Sequence, residues 1–210
     1  MYTQRIVHIP AIGKNADLRA ALLERNASGN ADAPHALGLT LFSPAPAFVH
    51  SIRFDNLAAL ETYMDRPLDA TFLAQGRKID QCLAQQRISF LYEELAQGPA
   101  GVAATPKFLI RNRHCPAAGK GRDLRAVLEE RVSRGGVPGL VRARLSMQLA
   151  SLDGPAFQVT LLFASMADME MYRSANQADS AFVAYQTKVA SLSRTPMQQR
   201  IQRILANFPA

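Results

Sequence analysis

Two of the chain's four histidines, His8 and His114, occupy matched places in a repeated segment. Residues 8–25 return 106 positions later as residues 114–131, with twelve of the eighteen positions identical. An imidazole titrates near neutrality, so His8 and His114 are candidate catalytic residues for proton transfer. The structural alternative is an imidazole hydrogen-bonded within a sheet edge, kept in both copies by pseudo-symmetry. A second constellation lies in residues 141–148, where strand alternation puts Arg142, Arg144, Ser146 and Gln148 on one face. The first copy's matching face reads Ala36, Gly38, Thr40 and Phe42. If that face is enclosed, Arg142, Arg144 and Gln148 become candidate substrate-binding residues for a carboxylate or phenolate, because a buried unpaired cation is costly. At a solvated rim the same arginines serve only solubility. Arg111, Arg113 and Arg200 are further cations of that copy.

Other chemistries find less support. No H-x-H or HExxH spacing is present, and Cys82 and Cys115 occupy neither a CxxC spacing nor matched repeat positions, so no metal site or disulfide framework is expected. Tyr63 and Tyr172 recur on helical segments, where packing is their ordinary role. The repeated Gly-Lys pairs, Gly13-Lys14 and Gly119-Lys120, lack the GxxxxGK[ST] pattern of a phosphate cradle. A turn at each glycine and a charge at Asp17 near a helix N-terminus explain them.

The elements that carry these residues follow from periodicity. Residues 4–9 read as a strand ending at Pro10, and Leu18, Ala21 and Leu22 fall at helical spacing behind a cap at Asn15 or Asp17. Strands are predicted over 36–42 and 48–54, helices over 57–64 and 70–83, and a last strand over 87–92. The second copy repeats that order, its third strand carrying Phe157, Val159, Leu161 and Phe163 on one face. Pro46-Ala47-Phe48 matches Pro155-Ala156-Phe157 at an offset of 109, which locates three extra residues earlier, most simply in the turn Leu152-Asp153-Gly154. Each copy is therefore a β-α-β-β-α-β unit, spanning 1–96 and 106–210, and the small uncharged residues 97–105 read as a linker. Divergence such as Ile6 against Asn112, or Gly38 against Arg144, makes the second copy the expected functional one.

With 48% hydrophobic and 20% charged residues, the chain can bury one or two ordinary cores. It has no apolar run of the roughly 18 residues that span a bilayer, and its N-terminus lacks a signal peptide's apolar stretch, so a cytoplasmic protein with no membrane partner is expected. Its net charge of +7 is uneven. Residues 1–100 carry nine Lys and Arg against ten Asp and Glu, while residues 101–210 carry fifteen against seven. A basic half suits an anionic partner, but no aromatic-basic interleaving accompanies it, so nucleic acid is not expected.

A β-α-β-β-α-β order is the α+β ferredoxin-like arrangement, with helices on one face of an antiparallel sheet and a second face left to bury. On this order, on Pro10-x-x-Gly13-Lys14 and Pro116-x-x-Gly119-Lys120, and on Phe54-x-x-Leu57 and Phe163-x-x-Met166, the chain resembles the dimeric α/β-barrel superfamily. That superfamily includes antibiotic-biosynthesis-type monooxygenases, muconolactone-isomerase-like enzymes, NIPSNAP proteins and the chlorite-dismutase group. The resemblance implies two tandem ferredoxin-like repeats whose sheets form one barrel within the chain, and it allows a homodimer beyond that. It implies a cofactor-independent monooxygenase or isomerase acting on a small aromatic or carbonyl compound. In such an enzyme His8 or His114 would move protons and Arg142 or Arg144 would hold an oxyanion. The alternative is a non-catalytic, NIPSNAP-like binding or assembly protein. Haem is weakly supported: the chain has no tryptophan, so the Asn-Trp-His set of haem-degrading members is incomplete, and no residue matches the chlorite-dismutase proximal histidine.

Overall fold

The computed structural model describes residues 1–29, 33–43, 46–149 and 155–208. Its elements run β1 (Tyr2–His8), α1 (Asn15–Gly29), β2 (His35–Leu41), β3 (Phe48–Phe54), α2 (Leu57–Asp65), α3 (Ala70–Asp80) and β4 (Ile88–Gln97). The same order returns as β5 (Phe108–His114), α4 (Gly121–Arg134), β6 (Arg142–Gln148), β7 (Ala156–Phe163), α5 (Met166–Gln177), α6 (Ser180–Leu192) and β8 (Gln198–Ala206). The hydrogen-bonded strand order β1-β3-β2-β8-β5-β7-β6-β4 closes into an eight-stranded antiparallel barrel, the fold class expected from the repeat. Contacts divide the chain into two compact units, Met1–Leu91 with Arg203–Ala210, and Tyr92–Gln202. The last strand of each repeat therefore begins in one unit and ends in the other.

In the first unit, Leu18, Ala21 and Leu22 of α1 pack on Leu37, Phe48 and Ile79, and Ile52 and Phe54 of β3 form a second small cluster with Tyr63 against it. In the second unit, Leu124, Leu128 and Val132 of α4 pack on Ala143, Leu145, Phe157, Val159, Leu161 and Phe163. Period-two alternation on the strands and helical spacing on α1 and α4 thus meet across one layer in each unit. The duplicated turn behaves alike in both. Gly13 and Gly119 have φ of 78° and 74°, the Lys14 and Lys120 amides each donate 2.9 Å bonds to Ala11 and Ala117, and exposed Lys14–Asp17 and Lys120–Asp123 pairs lie at 3.1 and 3.8 Å. Asp69 and Asp179, matched in the repeat, cap α3 and α6 by accepting from Phe72 N and Ala181 N at 2.6 and 2.9 Å.

Two expectations need correction. The segment 97–105 is not a free tether: the amides of Gly98, Gly101 and Val102 bond to Ala143, Val141 and Leu140 carbonyls at 2.9, 2.9 and 3.1 Å. Its residues are small because the backbone docks closely. A Cβ on Gly98 would overlap the Val132 carbonyl oxygen, and one on Gly101 that of Leu140. The second correction concerns register. His35 pairs with Ile52 and Ala143 with Leu161, so these positions match at an offset of 108, and Arg144 stands where the first copy has Ala36 rather than Gly38. Two of the three extra residues therefore precede β6. The proposed longer turn, residues 152–154, lies outside the described residues.

Candidate functional site

The second unit contains a cavity of about 1220 Å³ between its sheet and its helices. Ile110, Asn112 and His114 of β5 and Val159 and Leu161 of β7 supply its floor; α4, α5 and α6 supply Arg131, Tyr172, Tyr185 and Val189. Ala143 and Val159, short side chains on the adjacent strands β6 and β7, both line it. The two aromatic rings Phe182 and Tyr185 stack beside it, with centroids 5.7 Å apart and planes at 29°.

Its electrostatics are set by burial. His114 is 3% exposed, and burial pushes its imidazole down to about 4, so the ring is neutral at physiological pH. Burial, reinforced by Tyr172 and opposed by Arg131, pushes the Tyr185 phenol up to about 12, so it remains a hydrogen-bond donor. Arg131 bonds to Asn176 Oδ1 and lies over the Phe182 and Tyr185 rings at 4.9 and 5.8 Å. Asn176 is fixed in turn by donating to the Tyr172 carbonyl at 2.8 Å. His114 Nδ1 is buried with no hydrogen-bond partner among the described residues. An imidazole that holds iron normally has its second nitrogen anchored by a carbonyl or carboxylate. His114 has no such anchor among the described residues.

The structure does not bring the sequence-derived site residues together. Ala143, Leu145 and Met147 point from β6 into the helix-side core, so Arg142, Arg144, Ser146 and Gln148 point from its opposite face. There Arg144 lies 3.7 Å from Glu94; burial lowers its pKa, an effect opposed by Glu94 and added to by Arg142. Among the described residues Arg144 Nε, which is buried, has no hydrogen-bond partner. His114 and the arginine pair are thus separated by the sheet itself.

His8 belongs to the first unit, in a cluster that sequence reading missed. His35 of β2 and His50 of β3 face the helices beside it, with His50 Nε2 and His35 Nδ1 at 2.8 Å and the His8 and His50 rings 6.4 Å apart. By register His50 matches Val159, and His35 matches Ala143. Both ring nitrogens of His8 are buried without a hydrogen-bond partner among the described residues. Burial lowers His8 to about 4, with Arg87 adding to the effect, and His50 is pushed well down by burial, then by His35, His8 and Arg25. Among the described residues, no group of three or more His, Cys, Asp or Glu is arranged to hold a metal ion. The arginine matched to Arg131 is also occupied: Arg25 donates to the Phe72 carbonyl at 3.3 Å and stacks 3.2 Å over the Phe72 ring. The alternation Phe48-x-His50-x-Ile52 was the available signal for His50; for His35 it was its place one residue before the predicted strand.

No protein-family model matches the chain, and no curated protein does. Solved structures do. A candidate monooxygenase from Fusobacterium nucleatum subsp. nucleatum superposes with a TM-score of 0.78 at 8% identity, over 98% of this chain and 94% of that one. An anthrone oxidase-like protein gives 0.68 at 12%, over 97% and 91%. A heme-degrading enzyme from Listeria monocytogenes gives 0.51 at 10%, over 97% and 99%. The chain has the dimeric α/β-barrel fold. At these identities the likeness is one of fold. No helix of the described residues is long and apolar enough to cross a membrane.

Proposed function

We propose that the second unit binds a small aromatic or carbonyl-bearing molecule under α4–α6, and that the protein is a cofactor-independent monooxygenase of that molecule. The observation that carries this reading is the 1220 Å³ cavity with a neutral histidine at the end of its apolar floor. Such a pocket is the default binding-site reading for a concave, mostly apolar cleft with a few polar groups. The printed names of two similar structures, a candidate monooxygenase and an anthrone oxidase-like protein, support the same class.

Burial has two consequences for His114. It keeps the ring free to accept a proton, and it makes a lone imidazolium costly, so transfer is favoured only where the substrate anion formed lies beside it. For an anthrone, the base takes a C10 proton and the carbanion passes electrons to dioxygen. One O₂ adds, a new C=O replaces the CH₂, and water leaves, so anthrone plus O₂ gives anthraquinone plus water. Neither His8, in the other unit, nor Arg142, Arg144 and Gln148, across the sheet, takes part in this reading.

The test is aerobic turnover of anthrone, followed by oxygen uptake and anthraquinone absorbance, with a visible spectrum of the purified protein. The expected result is acceleration without added metal, flavin or haem, falling by roughly 10²-fold or more in His114→Ala with the fold retained. Equal rates in wild type and His114→Ala would remove the proton-transfer role. A Soret band would overturn the cofactor-independent reading. Turnover of a carbonyl substrate under argon would point to an isomerase, and binding without turnover to a non-catalytic protein.

A further inference from the structure

We infer that Arg131 is the anion anchor of this cavity, and that the molecule it takes carries a carboxylate, sulfonate or phenolate on its aromatic body. This inference rests on the cavity being a binding site. Its observation is a contrast between matched arginines. Arg25 is 9% exposed, and the Phe72 carbonyl and ring engage it. Arg131 lines the cavity, and the neutral groups around it are the Asn176 side-chain oxygen and the faces of Phe182 and Tyr185.

The acids of α4 are committed elsewhere: Asp123 lies 3.8 Å from Lys120, Glu129 pairs with Arg125 at 2.7 Å and Glu130 with Arg134 at 2.5 Å. On α5, Asp168 accepts from the Ser165 hydroxyl at 2.7 Å, and Glu170, which also lines the cavity, is exposed. Among the described residues no carboxylate forms an ion pair with Arg131. A guanidinium has five N–H donors in a planar fork, and one amide oxygen leaves most of them for a ligand. A half-buried guanidinium at a cavity wall gains a charge-assisted bond from an anion. The stacked Phe182 and Tyr185 rings beside it provide the surface that an aromatic body would cover, and the protonated Tyr185 hydroxyl is a second donor to the same anion. Asn176, 3% exposed and tied to the Tyr172 carbonyl, is a positioning residue for the fork.

The experiment compares two fluorescent probes that differ by one anionic group, anilinonaphthalene sulfonate and its neutral parent N-phenylnaphthylamine, titrated into the full chain. Arg131→Met, Arg131→Lys and Arg122→Gln accompany the wild type, with melting to confirm folding. Arg122→Gln removes one positive charge from the exposed side of α4, away from the cavity. The expected result is about tenfold tighter binding of the sulfonate by wild type and Arg122→Gln. Arg131→Met should bind both probes alike, and Arg131→Lys, which keeps the charge but loses the fork, should fall between. If Arg131→Met fails to fold, Arg131→Lys decides: an undiminished preference there overturns the anchor. Equal binding of both probes by wild type, or a preference retained in Arg131→Met, overturns the anchor while leaving the cavity reading intact. Failure of both probes to bind the wild type overturns both.

Discussion

At three matched places on its helix-facing sheet the first unit carries His8, His35 and His50, whereas the second carries His114, Ala143 and Val159. The first set places three rings in the layer, His35 and His50 bonded and edge-on to each other and His8 tilted 6.4 Å from His50. The second leaves a large cavity with one imidazole at its edge. The matched arginines differ in the same sense, Arg25 engaged by Phe72 and Arg131 by an amide and two rings beside the cavity. Matched strand positions thus carry a histidine cluster in one unit and part of a cavity lining in the other.

The comparison breaks first if the two cores are not equivalent. Leu22 and Leu128 are each 0% exposed at matched places. Leu22→Ala and Leu128→Ala should each cost about 2–5 kcal/mol in urea unfolding. A loss confined to one of them would mean that the units do not share a packing scheme.

Acid should separate the units next. The pKa of His8 and His114 is lowered from 6.5 to about 4, so the unfolded chain binds protons that the native state refuses. Their neutral-pH stability is present above about 6.5 and is lost as pH falls toward 4, roughly 3 kcal/mol for each when fully developed. His50 shifts in the same direction, which adds a loss in the first unit alone. Arg25, Arg66 and Arg87 lie on the elements around these histidines, while Glu24 and Asp80 pair with Lys78 and Arg87 at the exposed surface. Hydrogen exchange between pH 7 and pH 5 should therefore open β1–β3 before β5–β7. His50→Val, which copies the second unit, should narrow that gap. Equal opening of both units would count against it.

A smaller effect is expected where the supposed linker docks. Gly98→Ala should cost about 1–3 kcal/mol, because its Cβ meets the Val132 carbonyl, and should raise exchange at the β4–β6 edge. An unchanged melt would show that the segment adjusts freely. Smallest of all are Lys14→Ala and Lys120→Ala at the duplicated turn, whose partners are exposed. Melting and probe binding should stay within error of wild type, and a large loss of binding would reopen an anion role for that turn.

The element order was legible because it rests on periodicity, and the barrel because a twice-repeated one-sided sheet must bury a second face. The site was legible only in part. His114 stands out by its repetition, and it does line the cavity. Arg142 and Arg144 share a face as alternation requires, but which face the helices cover is revealed by their neighbours Ala143, Leu145 and Met147, whose apolar run was the overlooked signal. That Ala143 and Val159 stand on adjacent strands in the cavity lining is a matter of register across a loop that differs in length between the copies. Arg131 reads in sequence as one more helix-face cation; only the placement of Asn176, Phe182 and Tyr185 around it distinguishes it from Arg125 or Arg134.

The most direct measurement is hydrogen exchange of the full chain with and without saturating anilinonaphthalene sulfonate, with the bound number counted by native mass spectrometry. One probe per chain, with protection confined to β5, β7 and α4–α6, is the expected result. Two probes per chain, or protection of β1–β3 and α1–α3, would contradict the assignment of the open site to the second unit.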